Sequence, residues 1–295
     1  LLLNASGCLD AVAAPDVARS LDVFVTKTVT RLPRDGNAPL RIAETDAGML
    51  NAIGLANPGI DRFVDTVLPK LRELDVPLWV SVGGFAADDY TELCEILDDS
   101  SAVDAIELNV SCPNVDEAPD SAAEIVRAAR AATRKPLYAK LSPAVPEIAE
   151  VGRAAEAAGA DGLSLVNTVR GLAVDERTLR PKLARATGGY SGPALKPIAL
   201  AAVYACYAAT QIPIVAMGGV ASGRDALEFV AVGAAHVALG TVLFADPRAP
   251  ERVRSELAAE LAAYALASVD EARGIAHEGH STLVGHAERV HSSIA

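Results

Sequence analysis

Eight short apolar runs, rich in Val, Ile, Leu and Ala, punctuate the chain at residues 1–6, 23–29, 78–82, 105–110, 137–141, 162–167, 214–217 and 236–240. The stretches between them, 14–21, 59–74, 88–98, 121–133, 146–158, 193–209, 222–232 and 250–267, read as helices. Some of these open on a start signal, Ser121 at a cap and Pro146 in a first turn. Strands that are apolar almost throughout, rather than on alternate residues, are buried on both faces, as parallel strands covered by helices are. Eight strand–helix units predict closure into an α/β (β/α)8 TIM barrel rather than an open sheet. Nothing in composition divides the chain, so one barrel domain is expected over 1–268 with a C-terminal tail over 269–295. Two connections are unusually long: 30–58 after the second strand and 168–192 after the sixth. Both leave the ends of strands where barrel enzymes build their sites, so both are expected to carry function or form a lid.

Composition narrows the partners. The 295 residues include 26 Lys and Arg against 38 Asp and Glu, a formal charge of −12. That balance argues against nucleic acid, whose phosphates require a basic face. The longest nearly apolar stretch, 197–209, is too short to span a bilayer, so no membrane is expected. Cys8, Cys94, Cys112 and Cys206 are widely spaced and form no CxxC pair, which favours a reducing cytoplasm over a disulfide or zinc framework. Four of the five histidines, His277, His280, His286 and His291, crowd the last nineteen residues and read as a solvated tail; no metal site is expected. The fifth, His236, opens the eighth strand. The chain begins Leu1-Leu2-Leu3-Asn4 without Met, and a short N-terminal cover is expected to precede it.

The strand exits carry chemistry that packing does not require. Lys27 and Lys140 lie in otherwise apolar strands, where burying a cation is costly unless an anion meets it. Each alone reads equally well as an ion pair or a snorkelling stem; at two strand exits they favour an anionic ligand. Gly218-Gly219 after the seventh strand and Gly240-Thr241 after the eighth offer bare backbone N–H groups where barrels commonly hold phosphate. Asn51, Asn109, Asn114 and Asn167 both donate and accept, as reading the amide edge of a planar heterocycle demands. Asn51 by itself reads as a loop cap, whereas Asn109 sits inside a strand where an unpaired amide would be costly. Cys94 and Cys206 are expected to be inert core thiols, and Cys8 a packing residue. Cys112 follows a strand between Ser111 and Pro113, near cationic side chains, and is the candidate proton acceptor.

Together these segments resemble class I dihydroorotate dehydrogenases over residues 1 to about 265. The signature is Glu107-Leu108-Asn109-Val110-Ser111-Cys112-Pro113-Asn114; Phe24–Thr30 and Gly48–Gly59 are similar to the NAD-dependent B type in particular. Leu165–Thr168, Gly188–Ala194 and Ala216–Val220 continue the likeness in order. The resemblance implies an FMN-bearing barrel, cytoplasmic, that oxidises (S)-dihydroorotate to orotate in pyrimidine biosynthesis, with Cys112 as the base at C5 while C6 gives hydride to the flavin. It implies that Lys27, Asn51, Ala52, Ile53, Gly54, Leu55, Asn109, Asn114, Asn167 and Thr168 hold the substrate. It implies FMN binding by Ala5, Ser6, Gly7, Lys27, Thr28, Asn109, Lys140, Val166, Ser191, Gly192, Met217, Gly218, Gly219, Gly240 and Thr241. It also implies a homodimer joined by an electron-transfer subunit that carries FAD and a 2Fe–2S cluster and reduces NAD+, a heterotetramer. This chain has neither a cysteine set for such a cluster nor a GxGxxG after a strand. The alternatives are the fumarate-dependent A type, which shares the Cys loop, and an FMN barrel acting on other dihydropyrimidines, which usually has His where Asn114 stands. A Schiff-base aldolase using Lys140 and a non-catalytic scaffold are the distant readings.

Overall fold

The computed structural model describes residues 2–110 and 119–278. Cys112 and Asn114, with His280, His286 and His291, lie outside the described residues. The described strands are β1 (Leu2–Asn4), β2 (Phe24–Val25), β3 (Ile42–Thr45), β4 (Gly48–Asn51), β5 (Leu78–Val82), β6 (Ala105–Asn109), β7 (Leu137–Leu141), β8 (Gly162–Leu165), β9 (Val169–Leu172), β10 (Thr187–Ser191), β11 (Ile214–Met217) and β12 (His236–Leu239). The helices are α1 (Pro15–Arg19), α2 (Ile60–Arg62), α3 (Leu68–Arg72), α4 (Ala87–Asp98), α5 (Pro119–Ala132), α6 (Ile148–Ala157), α7 (Lys196–Ala209), α8 (Gly223–Ala231), α9 (Val242–Ala245), α10 (Ala249–Ala263) and α11 (Val269–Ala272). A π-helical turn, Phe63–Val67, joins α2 to α3 within the segment expected as one helix.

Eight parallel strands follow one another in the order β1-β12-β11-β8-β7-β6-β5-β2. The ring closes where β1 meets β2, at a parallel bridge between Leu3 and Val23. Asn4, fully buried, completes this seam with its side chain. Its Nδ2 donates to the Val25 carbonyl at 2.7 Å, and its Oδ1 accepts from the Val25 N–H at 2.8 Å. A carboxamide thus does at the seam what ladder hydrogen bonds do elsewhere.

The apolar residues divide between the two faces of this ring. Leu3, Val25, Trp79, Tyr138, Val215 and Met217 fill the barrel interior, where the Trp79 and Tyr138 rings lie 4.1 Å apart. The larger cluster, with Leu108, Leu141, Leu163 and Leu239 from the strands, packs the outer face against the helices. Both faces being dry is why the strands read as continuous apolar runs.

The two long connections do not stay irregular. They supply β3, β4, β10 and β9, an antiparallel sheet in that order across the C-terminal mouth of the barrel. Its central pairing sets Leu50 opposite Tyr190. The C-terminal stretch also differs from the expected tail over its described part. Ala272 is buried, Gly274 N–H reaches the Val230 carbonyl at 3.1 Å, and His277 stacks on Tyr204 at 3.8 Å. Apolar and ring contacts to α7 and α8 hold residues 269–278 against the body. No described helix is long and apolar enough to cross a membrane.

Candidate active site

A cavity of about 760 Å³ opens at the C-terminal mouth, beneath the antiparallel sheet. Its floor comes from strand ends. Lys140, in β7, is directly opposite Asn109 of β6 in the parallel register and is almost fully buried. Its Nζ lies 3.5 Å from Glu107 Oε1, a buried oxygen with no hydrogen bond of its own. Lys27 is placed by a bulge: Val25 sits opposite Trp79 while Val29 sits opposite Val82, one residue more on the β2 side. The extra residue turns Lys27 into the cavity, where it makes no ion pair among the described residues. Desolvation there holds its ammonium below the usual lysine range. Burial pushes the neighbouring Cys8 thiol up, against the pull of Lys140 and Lys27.

A polar chain ties the floor together. Ser6 Oγ donates to the Thr26 carbonyl at 2.8 Å and lies 3.3 Å from Thr28 Oγ1. Thr28 Oγ1 lies 3.0 Å from Ser81 Oγ and accepts from Asn109 Nδ2 at 3.3 Å. Asn109 Oδ1 accepts in turn from Asn167 Nδ2, also at 3.3 Å. Asn167 Oδ1 receives the Thr168 N–H at 2.8 Å, which fixes its amide. From the sheet above, Asn51 Nδ2 donates to the Gly189 carbonyl at 3.3 Å.

The side of the cavity is glycine backbone. Gly218 and Gly219 follow β11 at φ +122° and +83°, and Gly192 follows β10 at +109°. A Cβ on Gly219 would stand 2.9 Å from the Gly192 carbonyl oxygen. The two turns therefore approach as closely as only glycine permits. Thr241 hydroxyl donates to Ser191 Oγ at 2.9 Å, tying the β12 exit to the sheet above.

All the described residues that the sequence singled out come together here: Ala5, Ser6, Gly7, Lys27, Thr28, Asn51, Ala52, Ile53, Gly54, Leu55, Asn109, Lys140, Val166, Asn167, Thr168, Ser191, Gly192, Met217, Gly218, Gly219, Gly240 and Thr241. Cys8 lines the cavity as well, whereas Cys94 and Cys206 are core thiols pushed up to about 12 by burial. Sequence reasoning missed the outer wall, formed by Arg34, Asn37, Phe85, Arg170, Arg185 and Phe244 among others. Phe244 sits in α9 and the others in loops or on the antiparallel sheet, where no strand pattern pointed to them.

Comparison with known proteins gives a consistent result. A family model described as dihydroorotate dehydrogenase matches residues 1–261. The dihydroorotate dehydrogenase B (NAD(+)) catalytic subunit of Desulforudis audaxviator is 43% identical over 264 residues, 87% of this chain and 86% of its own. The protein of the same name from Bacillus pumilus is 42% identical over 296 residues, 97% of this chain and 95% of its own. A Solibacter usitatus protein, provisionally named dihydroorotate dehydrogenase A (fumarate), is 46% identical over 245 residues, 81% of each chain. Among solved structures, Eimeria tenella DHODH in complex with ferulenol superposes with a TM-score of 0.80 at 25% identity, covering 94% of this chain and 85% of that one.

Proposed function

The chain belongs to the dihydroorotate dehydrogenase family, and on that premise we propose that it oxidises (S)-dihydroorotate to orotate in pyrimidine biosynthesis, passing the electrons to NAD+ through a partner subunit. One observation carries the reading: Lys27, Lys140, Asn51, Asn109 and Asn167 converge with a glycine-walled recess on a single cavity.

Enzymes of this family are flavin-dependent, and the cavity suits FMN. The Gly192, Gly218–Gly219 and Gly240–Thr241 backbone, without Cβ atoms to fill it, forms a cradle for a phosphate. Ala5, Ser6, Gly7, Thr28, Asn109, Val166, Ser191 and Met217 would surround the remainder, with Lys27 and Lys140 as the cations beside it. When bound, FMN supplies the hydride acceptor for oxidation of the C5–C6 bond. Lys140 holds a fixed positive charge where negative charge develops. Lys27, Asn51, Asn109, Asn114, Asn167 and Thr168 orient the substrate's carboxylate and ring amides, with the Ala52–Leu55 backbone closing over them. Cys112, three positions along the sequence from the end of β6, takes the proton from C5. The lid strands exclude water from that transfer.

The named relatives are catalytic subunits, which supports a partner subunit here; the resemblance in sequence extends the proposal to a catalytic homodimer joined to a subunit carrying FAD and a 2Fe–2S cluster as a heterotetramer. The 1–268 segment serves as the catalytic domain, and the free thiols Cys8, Cys94 and Cys206 suit the cytoplasm. The Solibacter relative supports a second reading, the fumarate-dependent type. The two diverge in acceptor use: efficient fumarate reduction by the chain alone selects the second. The test of the chemistry is Cys112→Ala, expected to keep FMN and orotate binding while turnover falls about 10²- to 10⁴-fold. Near wild-type turnover in that variant contradicts the assignment.

A further inference from the structure

The antiparallel lid is locally basic in an acidic chain. Residues 168–192 carry Arg170, Arg177, Arg180, Lys182 and Arg185 against only Asp175 and Glu176, while the whole chain stands at −12. Asp175 is engaged elsewhere, its Oδ1 accepting from the Arg177 and Thr178 N–H groups and the Thr178 hydroxyl. Two of these cations, Arg170 and Arg185, stand on the outer wall of the cavity, and Arg34 joins them from the other long connection. All three are exposed. None takes part in an ion pair among the described residues.

Arg34 and the backbone of Arg170 are held in place without loss of charge. Arg34 lies over the Phe85 ring, 4.8 Å from its centroid, and its Nε donates to the Gly54 carbonyl at 3.4 Å. Neither contact neutralises it. Arg170 is opposite Gly189 in the β9–β10 ladder, and the Gly189 carbonyl is the one that accepts from Asn51. The rim is therefore one strand removed from the groups proposed to read the substrate. Below it, within the same cavity, Lys27 is also without an ion pair among the described residues. A small anion approaching a −12 body is repelled at long range, and a cleft lined by unpaired cations reverses that field locally. Low-dielectric walls focus such a field along the cleft.

We infer that Arg34, Arg170 and Arg185 form a capture rim for an anionic pyrimidine carboxylate, met at the cavity mouth before the ligand descends to Lys27 and the asparagines. The rim sets the rate of entry, and the floor sets how long the ligand stays. This rests on the functional reading above, which makes the ligand a carboxylate.

The experiment is stopped-flow mixing of the flavin-loaded chain with orotate, followed by the change in flavin absorbance, across ionic strengths. The sign of the wild-type salt response is the first outcome. A rim that attracts makes association slower as salt rises, whereas an anion meeting only the net charge of the body associates faster. Arg34→Gln/Arg170→Gln/Arg185→Gln is expected to lower the association rate constant about 10-fold at low salt, within the range such steering spans. The difference should vanish near 1 M salt, where the screening length is about 3 Å. Dissociation should stay within about 2-fold, since a steering charge acts mainly on association. Arg177→Gln/Arg180→Gln/Lys182→Gln removes as much charge from the same loop, away from the cavity wall, and should cost less than about 3-fold. Association that speeds up with salt in the wild type, an equal loss in both triple variants, or a loss confined to dissociation overturns the capture rim. If the loaded wild-type chain does not bind orotate at all, it is the functional reading that fails.

Discussion

Lys140→Met strikes the buried pair beneath the cavity. Lys140 and Glu107 keep only 5% and 1% of their surface exposed, and their charged atoms meet at 3.5 Å. At that separation, with an effective dielectric constant near 20, their attraction is about 5 kcal/mol. Desolvating the two charges consumes much of it, so the pair as a whole contributes little net stability. Removing one partner is different. Methionine nearly conserves the volume of the lysine stem, so packing changes little. What remains is a buried Glu107 with no countercharge and an oxygen that makes no hydrogen bond, a loss of about 3–5 kcal/mol. Urea unfolding without bound flavin, so that ligand linkage does not enter, should show that loss at neutral pH. Glu107→Gln in the same background removes the stranded charge and should restore the chain to within about 1.5 kcal/mol of wild type. If Lys140→Met costs less than about 1 kcal/mol, or Glu107→Gln restores nothing, the pair is not what balances the floor.

Two further substitutions test other parts of the account. Asn4→Ala strands the N–H and carbonyl of Val25 at the barrel seam; at about 1–3 kcal/mol for each buried unsatisfied group, stability should fall by about 2–6 kcal/mol. A urea midpoint close to wild type would mean the seam closes without it. His236 is held down at about 4, chiefly by burial, so the unfolded chain binds a proton below pH 6.5 that the folded chain refuses. Stability should therefore drop as pH falls from 6.5 towards 4, by up to about 3 kcal/mol from this group. His236→Asn should flatten that limb in unfolding curves taken across the window, and an unchanged slope would acquit the histidine.

The barrel was legible because its strands are dry on both sides, which turns each into an uninterrupted apolar run. The floor of the site was legible for the opposite reason: Lys27, Asn109 and Lys140 interrupt those runs with groups that are costly to bury. The lid sheet was not. Its strands are short, β3 alternates exposed and half-buried residues, and β4 finds its partner β10 more than a hundred residues away. No local pattern encodes such a pairing. Arg34, Arg170 and Arg185 were passed over because an isolated arginine in a polar loop reads as solvated surface; only the fold places the three at one mouth. The docking of His277 escaped for a related reason, since the rings that receive it, Tyr204 and Tyr207, lie on a helix some seventy residues earlier.

One spectrum decides whether the cavity holds a flavin that dihydroorotate reduces. The purified chain should carry a visible flavin band, and anaerobic addition of (S)-dihydroorotate should bleach it as the electrons move from substrate to cofactor. A chain that binds no flavin, or one whose flavin band is indifferent to dihydroorotate, would contradict the central claim.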